Sequence, residues 1–583
     1  MKIIAALLFG ILIGLLPVIE NPEHVFSFME ASLIGIAVCA AILVFTSRWR
    51  GKVEITLSDF LALVYLSYGV LNIALVLHFR VDSYTWWKWG ALALGYIVMR
   101  TVKKREWVLA ALVLAGVGQA MVAMAQKAGL VESNSLVFAV TGTFRNPGPL
   151  GGFLAVGMTI ALGMFFNCCG RASKEYLPAI RRRLYFWLCL SASLVIAAGL
   201  FLADSRASWL AVPAGALVCF WPRIREYVRR RKLFSTMIAA TILIVVMAVL
   251  FQYRAGSANA RLLIWRVCAD MIGQKPMLGH GIASFNEKYM LYQGAYFASH
   301  PDSRFLMSAD NVFYPYNELL HIFIEQGITG VVIVIALFYA VFSFRSRNNT
   351  DRILKGALSG LVVFSCFSYP AAVFSLLFLF AVLLGGLQSR RCLHINIKAW
   401  VPLMLKPVFV AVSVLALCEL PYCRQCSKMM ERLFVPNDEA AQKFVADHYN
   451  RLRYSDVFNH ACSEWLRSST AQTCPKYIEG MFPYCEGYCT KGDYFLRNGE
   501  YALAEKYYKI ASDMVPTRLL PNYRLWQLYM HRNDTTAAHR IRLKAISQPL
   551  KLNNEFTRHV QEEIDRFLKE TSKNPKLCVM LLR

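Results

Sequence analysis

The chain has 583 residues, of which 56% are hydrophobic and 17% charged, and its mean hydropathy is +0.41. A water-soluble protein of this length rarely sustains so apolar a composition, which excludes an ordinary soluble enzyme. The formal net charge is +26. In a soluble protein this charge would suggest a nucleic-acid partner, but here the basic residues alternate from loop to loop, and nucleic acid is not expected.

Long apolar segments recur along the chain, and each segment of roughly 17–25 such residues can cross a bilayer core of about 30 Å. Thirteen spans are predicted, at about 2–19, 26–46, 57–78, 85–100, 107–127, 150–168, 184–203, 207–221, 233–251, 319–343, 354–370, 371–387 and 402–419. The first segment resembles a secretory signal, but no convincing small-residue cleavage site follows it. The predicted fold is therefore all-α, a polytopic membrane protein with about thirteen transmembrane helices.

Lysine and arginine concentrate in every second loop. The basic loops are SRWRGK (47–52), RTVKKR (100–105), GRASKEYLPAIRRR (170–183), RIREYVRRRK (223–232), FRSRNNTDRILK (344–355) and SRRCLHINIK (389–398). The short loops between them are nearly free of lysine, which is the positive-inside signature. This pattern predicts a cytoplasmic N-terminus and, after thirteen spans, an external C-terminal tail.

Three short predicted outer loops carry arginines that the charge rule does not explain, namely Arg80, Arg145 and Arg206. The stretch TGTFRNPGPLGGFL holds Arg145 in a turn rich in Pro and Gly, whose backbone N–H groups can face an anion. An ordinary re-entrant loop is the alternative. The stretch ADSRASWLA holds Arg206, which either binds a ligand or pairs with Asp204 to join two helices.

A third stretch, RLLIWRVCADMIGQKPMLGHG, places Arg261 and Arg266 on a short helix in the long outer loop 252–318. Guanidinium groups bind phosphate oxygens with two parallel hydrogen bonds and stay charged at physiological pH. Together with Arg145 and Arg206, they predict a binding site for an anionic headgroup. A lipid-linked diphosphate fits, because its tail can lie between helices while its phosphates meet the arginines.

The tenth predicted helix begins with polar side chains. At 3.6 residues per turn, Glu318, His321 and Glu325 share one face. Such groups at a bilayer edge are costly, so the pattern predicts a cavity with the arginines opposite. Asn317 is equally well explained as the N-cap of this helix, and Glu325 as a structural partner in a hydrogen bond between helices.

The tail, residues 421–583, holds seven of the sixteen cysteines, so disulfides are expected in an external setting, and a zinc site is a lesser alternative. The stretch NGEYALAEKYYKIASDMVP resembles a tetratricopeptide unit, and a degenerate second copy lies 34 residues later. A helical-repeat domain that docks a protein partner, or acts as a lid, is predicted there.

The motifs TGTFRNP, DSRASWLA, R-x3-W followed by P-x-L-G-x-G, and YNELL followed by EQGITG occur in an order that resembles the O-antigen ligase superfamily, over about residues 140–385. This superfamily includes O-antigen polymerases and bacterial O-linked oligosaccharyltransferases. The resemblance implies that residues 1–420 form a glycosyltransferase domain in the bacterial inner membrane, without metal or cofactor, and that the tail is periplasmic. Its donor would be a glycan on undecaprenyl diphosphate, and its acceptor a lipid, glycan or protein hydroxyl.

One position departs from the family pattern, because Tyr316 stands where many members have a histidine taken as the proton acceptor. The unperturbed pKa of tyrosine, near 10, makes it a poor base. We therefore expect Glu318 to accept the proton, with His321 or Tyr316 orienting it, and Arg206, Arg261, Arg145 and Arg266 to bind the diphosphate. A polysaccharide polymerase, a transporter or flippase of a lipid-linked anion, and a non-enzymatic scaffold are the alternative functions.

Overall fold

The structure is a computed structural model. It describes residues 2–20, 26–46, 51–168, 179–231, 255–397, 400–435, 438–468, 480–551 and 557–563, together with the single positions 237, 241, 555 and 566. The helices before the tail are α1 (Lys2–Ile19), α2 (Ser27–Thr46), α3 (Leu57–Leu77), α4 (Ser83–Thr101), α5 (Arg105–Lys127), α6 (Pro147–Cys168), α7 (Ala179–Ala203), α8 (Arg206–Arg230), α9 (Ala255–Gln274), α10 (Phe285–Ser299), α11 (Glu318–Ser343), α12 (Asn349–Ser365), α13 (Phe374–Gly386) and α14 (Trp400–Arg432).

The all-α polytopic fold is confirmed. Among the described residues, nine helices are long and apolar enough to cross a membrane, namely α1, α2, α3, α5, α6, α7, α8, α11 and α14. Each corresponds to a predicted span. Three further predicted spans are also helical, as α4, α12 and the short apolar α13. The predicted span 233–251 lies outside the described residues, so the number thirteen stays a prediction.

Two of the basic loops form an antiparallel ribbon that the sequence analysis did not predict. Strand β1 (Gly51–Thr56) pairs with β2 (Arg391–Ile397), and Glu54 lies opposite His394. Arg391 Nε also contacts a Glu54 oxygen at 2.7 Å. Since both loops were predicted on the same side of the membrane, their pairing agrees with the alternation of the helices.

Small residues bring the central helices close together. α6 packs against α7, α8 and α12, and α12 packs against α8. A Cβ added at Gly152 of α6 would come 2.6 Å from the Phe364 ring of α12, so only glycine allows this approach. Close approach of small residues is a common basis of helix association in membranes. The packing sets the starts of α6 and α8 side by side.

Helix α11 is broken in its third turn. Gly327 has φ 67° and ψ −170°, a backbone conformation almost restricted to glycine. The segment PMLGHG (residues 276–281) lies against the break and forms backbone hydrogen bonds with it, as a neighbouring β-strand would. His280 N donates to Ile324 O at 2.8 Å, Gly281 N donates to Glu325 O at 2.9 Å, and Ile328 N donates to Pro276 O at 2.8 Å.

Side chains of α3 complete the hydrogen bonding at the break. Tyr68 donates its hydroxyl proton to Gln326 O at 2.5 Å. Asn72 donates to Leu278 O at 2.8 Å and accepts from Ile282 N at 3.2 Å. The backbone groups that leave the helical pattern are therefore bonded, as a membrane environment requires.

The tail consists of α15 (Glu439–Leu452), α16 (Asp456–Ser468), α17 (Cys485–Arg497), α18 (Tyr501–Met514), α19 (Leu519–His531) and α20 (Thr535–Ser547). Helix α17 packs against α18, and α19 against α20. The repeat positions Ala504 and Tyr508 are fully buried, with Tyr508 against Gly492. These helix pairs agree with a helical repeat, while the tetratricopeptide assignment itself stays a prediction.

The expected disulfides are not present among the described cysteines. All twelve of these are free thiols, including five within residues 421–583: Cys423 and Cys426 in the last part of α14, and Cys462, Cys485 and Cys489 in the tail helices. The described residues also contain no group of three or more His, Cys, Asp or Glu side chains arranged to hold a metal ion, which removes the alternative of a zinc site built from the described cysteines. Cys485 and Cys489 are neighbours on one helix, and both are buried in its packing interface.

Replacing Gly327 by alanine is expected to destabilise the protein by about 1–3 kcal/mol or more, because its φ is positive and a Cβ would overlap the Met277 carbonyl. The midpoint of thermal unfolding in detergent measures this. Gly273→Ala is the matched control, since nothing lies within 4 Å of a Cβ there, and we expect it to be neutral or stabilising by about 0.5–1 kcal/mol. Equal midpoints for the two variants would contradict the importance of the break.

Candidate functional site

Four helices begin at one end of the bundle: α6, α8, α11 and α13. Gly151 near the start of α6 lies against Ser205 and Ser208 at the start of α8. A Cβ at Gly148 would come within 4.0 Å of the Tyr369 hydroxyl, which lies just before α13. The positive ends of helix dipoles and free N–H groups at helix starts favour an anion at such a place.

Glu318 is the first residue of α11 and faces the loop before α13. Its Oε1 accepts from Ala371 N at 2.8 Å, and its Oε2 is 3.2 Å from His321 Nδ1. Asn317 caps the helix, because its Oδ1 accepts from Leu320 N at 3.1 Å. The capping interpretation of Asn317 is therefore confirmed. A carboxylate has about four acceptor sites, so Glu318 keeps capacity for a further donor.

His321 lies between two carboxylates. Its Nδ1 faces Glu318, while its Nε2 is 3.2 Å from Glu325 Oε1. Glu325 is buried, and its Oε1 also accepts from Phe285 N at 3.3 Å. Because ionised carboxylates only accept hydrogen bonds, both ring nitrogens of His321 donate when it is protonated. The predicted shared face of Glu318, His321 and Glu325 is thus a continuous polar chain.

Arg261 of α9 lies against the segment that immediately precedes Glu318. Its guanidinium carbon is 5.3 Å from the centre of the Tyr316 ring, a distance typical of a cation–π contact. The neighbouring Trp265 donates its indole N–H to Pro315 O at 3.0 Å. Helix α9 is therefore held against the residues that immediately precede Glu318. Tyr316 itself has φ 53°, which turns the chain sharply into α11.

The guanidinium of Arg206 lies close enough to Arg261 to affect the pKa of Arg261. Arg206 Nη2 donates to Ser257 Oγ at 3.0 Å, so the first turn of α8 contacts the first turn of α9. Burial, and then the nearby Arg206 guanidinium, lower the pKa of Arg261 from its usual value. Two adjacent cations repel each other, and an anion bound between them would relieve this repulsion.

Arg145 joins the same group from the loop before α6, where its side chain is exposed. The charge of Arg145 interacts with the Glu20 carboxylate and with the Tyr314 phenol. Glu20 follows α1 and caps α13, accepting from Phe374 N at 2.8 Å and from Ser375 N at 2.9 Å. Glu20 was not among the predicted site residues, although it lies in a predicted outer loop.

Three tyrosines line the space between these elements, and two of them were also missed. The rings of Tyr314 and Tyr369 stack with centroids 4.4 Å apart and planes 6° apart. Tyr316 meets the edge of Tyr369 at 5.3 Å. The sequence pattern that could have indicated these tyrosines is YPY before α11 and SYP before α13. Aromatic residues at membrane edges are typical of interfacial sites.

Arg266 does not belong to this group. It is exposed, and it follows Arg261 by five residues, which is about 140° around an α-helix. The face of α9 that contacts Tyr316 and Pro315 includes Arg261 and Trp265 instead. The structure thus brings together six of the seven predicted site residues, namely Arg145, Arg206, Arg261, Tyr316, Glu318 and His321.

Comparison with known proteins points to one family. Residues 191–335 match the family model described as O-antigen ligase. The chain is 26% identical over 177 residues to a "Putative polysaccharide ligase" of Rickettsia felis, covering 29% of this chain and 41% of the relative. It is 27% identical over 149 residues to another of Rickettsia conorii, covering 24% of this chain and 35% of the relative.

The chain thus spans about two fifths or less of the length of the curated relatives it matches. The matched region contains Arg206, Arg261, Glu318 and His321, whereas Arg145 lies before it. The nine candidate spans, the order of the motifs and these matches agree. The chain is therefore a multi-pass membrane protein that is similar to the O-antigen ligase family over residues 191–335.

Proposed function

We propose that this protein is a glycosyltransferase that moves a glycan from undecaprenyl diphosphate to an acceptor hydroxyl at the outer face of the bacterial inner membrane. The observation that carries the proposal is that Arg206 and Arg261 lie together, and that Arg261 contacts Tyr316, two residues before the Glu318–His321 pair. All of these residues lie within the matched region. The names of the relatives, polysaccharide ligases, support the same reaction class.

The arginines bind the diphosphate of the donor. Arg206 and Arg261 approach from α8 and α9, and Arg145 approaches from the loop before α6. As the bond between sugar and phosphate breaks, negative charge develops on the leaving diphosphate. Fixed positive groups stabilise that charge, and in a site of low dielectric constant this is commonly the largest contribution to the rate.

The acceptor hydroxyl attacks the anomeric carbon from the face opposite the diphosphate. A new carbon–oxygen bond forms while the bond to phosphate breaks, so the configuration at the anomeric carbon inverts. Undecaprenyl diphosphate leaves with the electron pair, and the hydroxyl proton passes to Glu318. General-base assistance of this kind contributes typically about 10²–10⁴-fold.

His321 and Glu325 hold Glu318, the proposed general base, in position. Ala371 N–H and His321 each bind one Glu318 oxygen, so the carboxylate cannot turn freely. Glu325 holds the other ring nitrogen of His321 and is itself bonded to the backbone of Phe285. Glu325 is thus a positioning residue, which extends the structural role expected from the sequence.

The acceptor is a lipid, a glycan chain or a protein, and the same site geometry serves ligase, polymerase and protein oligosaccharyltransferase. A transporter would need its charged groups near the bilayer midplane, between two related halves. In the described structure Arg206 and Glu318 instead begin α8 and α11, Arg145 lies just before α6, and Arg261 lies in the second turn of α9. This placement favours transfer at a membrane surface over transport across it.

Arg261→Ala is expected to lower glycan transfer by about 10²–10³-fold, because it removes one group that stabilises the leaving diphosphate. The rate is measured in membranes with a lipid-diphosphate glycan as donor. Arg266→Ala is the matched control on the same helix and should leave the rate unchanged. A rate for Arg261→Ala equal to that of wild type would remove the proposed diphosphate site.

Glu318→Gln is expected to lower kcat by ~10²–10⁴-fold with little change in the KM of the donor. Glutamine preserves the acceptor for Ala371 N–H but cannot take up a proton as a carboxylate does. Asp302→Asn replaces an exposed carboxylate in the loop before α11 and serves as control. Retention of wild-type kcat by Glu318→Gln would assign the proton to another group.

Transfer is expected to continue unchanged in the presence of EDTA, because the arginines supply the positive charge that a divalent metal supplies in other phosphate sites. The assay uses the purified protein in proteoliposomes with and without the chelator. A loss of transfer that added Mg²⁺ or Mn²⁺ restores would show that the leaving diphosphate needs a metal.

A further inference from the structure

The tail binds the loop that leads into the candidate site. Asp310, eight residues before Glu318, lies 2.9 Å from Arg518 Nη2 and 2.9 Å from Lys551 Nζ. Burial raises the pKa of Asp310, but hydrogen bonds from Lys551 and Arg518 outweigh it and hold this pKa below its usual value. Two tail cations are therefore directed at one carboxylate of the membrane domain.

The neighbouring residue makes a second set of contacts with the tail. Asn311 donates its amide hydrogen to Glu486 Oε2 at 2.5 Å and accepts from Cys485 N at 3.0 Å. Its side chain thereby caps the start of α17. Arg518 also contacts Glu486 at 3.8 Å, which links the Asp310 and Asn311 contacts into one network.

Helix α10 adds a third connection. Gln293 is fully buried and donates to Asp310 O at 3.0 Å and to Met514 O at 2.7 Å. A buried amide that bridges two backbone carbonyls is costly to disrupt, because both acceptors would lose their partner. The loop, α10 and the end of α18 are thus joined through one side chain.

These polar contacts surround a shared hydrophobic core. Its buried members come from several parts of the chain and include Met290 and Phe297 of α10, Ile324 of α11, and Cys489, Ala511 and Met514 of the tail. Tyr316 and Leu320 pack against the same core. The helix that begins with Glu318 therefore rests partly on the tail.

The residues between Asp310 and Glu318 contain no helix or strand, so contacts at either end determine their path. The indole of Trp265 holds Pro315, and the tail holds Asp310 and Asn311. We infer that the tail is a working part of the active site, and that Asp310 is a positioning residue that sets Tyr316 and Glu318 through this segment. The inference rests on the proposed function for its catalytic consequence.

Asp310→Asn tests the inference, with Asp302→Asn as control, since Asp302 is an exposed carboxylate of the same loop. The first readout is amide hydrogen exchange of residues 311–317, which does not depend on any activity. The second is glycan transfer, separated into kcat and donor KM. A misplacement of about 1 Å can cost about 10²-fold in rate, so we expect kcat to fall about ten- to hundred-fold.

The expected result is faster exchange and lower kcat in Asp310→Asn, with donor KM unchanged and most of the rate regained in Asp310→Glu. Unchanged exchange, or faster exchange with wild-type kcat, would overturn the inference. An equal loss in Asp302→Asn would do the same. If Asp310→Asn does not fold, Lys551→Ala, which removes one partly exposed cation, is expected to show the same changes, smaller in size.

The two proposals fail in different ways. If Arg261→Ala keeps its transfer rate while Asp310→Asn loses it, the diphosphate site is wrong and the positioning role stands. If the wild-type protein transfers no glycan, the exchange of residues 311–317 alone decides whether the tail orders the segment. If Arg261→Ala loses activity and Asp310→Asn does not, the proposed function stands and the tail is not part of the site.

Discussion

The arrangement of the site depends on the break in α11, where the PMLGHG segment binds a helix that has lost its own hydrogen bonds. Backbone groups without partners cost several kcal/mol each in a bilayer, so a break survives only if another segment satisfies them. Here PMLGHG, Tyr68 and Asn72 do so. The break separates the first turns of α11 from its long apolar portion, and those first turns carry Glu318, His321 and Glu325. PMLGHG also ends just before α10, so its binding to the break places Phe285 against Glu325.

The candidate site contains two groups of charged side chains, the arginines Arg206 and Arg261 and the carboxylates Glu318 and Glu325. Arg206 comes from the first turn of α8, where the start of the helix adds positive potential, and Arg261 comes from the second turn of α9. Glu318 and Glu325 share His321 between them. In the proposed reaction the diphosphate binds the first group, and the hydroxyl proton passes to the second. Tyr316 contacts both Arg261 and Tyr369.

The tail changes the interpretation of the domain organisation. The sequence suggested an appended helical repeat that docks a partner or covers the enzyme. In the structure α17 and α18 share a hydrophobic core with α10 and α11, and Asp310 and Asn311 bind tail residues directly. A tail packed in this way affects the site through its effect on the loop before α11. Its exposed surface is still open to a partner, so the positioning role and a docking role are compatible.

The sequence by itself determined the membrane class and most of the helices, and six of the seven site residues that it predicted lie together in the structure. Hydrophobicity and the charge of loops are local properties, and the predicted outer loops alone contained Arg145, Arg206 and the residues around Glu318. Only the tertiary structure decided that Arg266 faces away, that Glu20 caps α13, and that β1 pairs with β2 across more than three hundred residues. Which face of α9 packs inward, and which loops meet, depends on the fit of side chains between distant helices. That fit is a property of the whole packed chain, and no local pattern of residues encodes it.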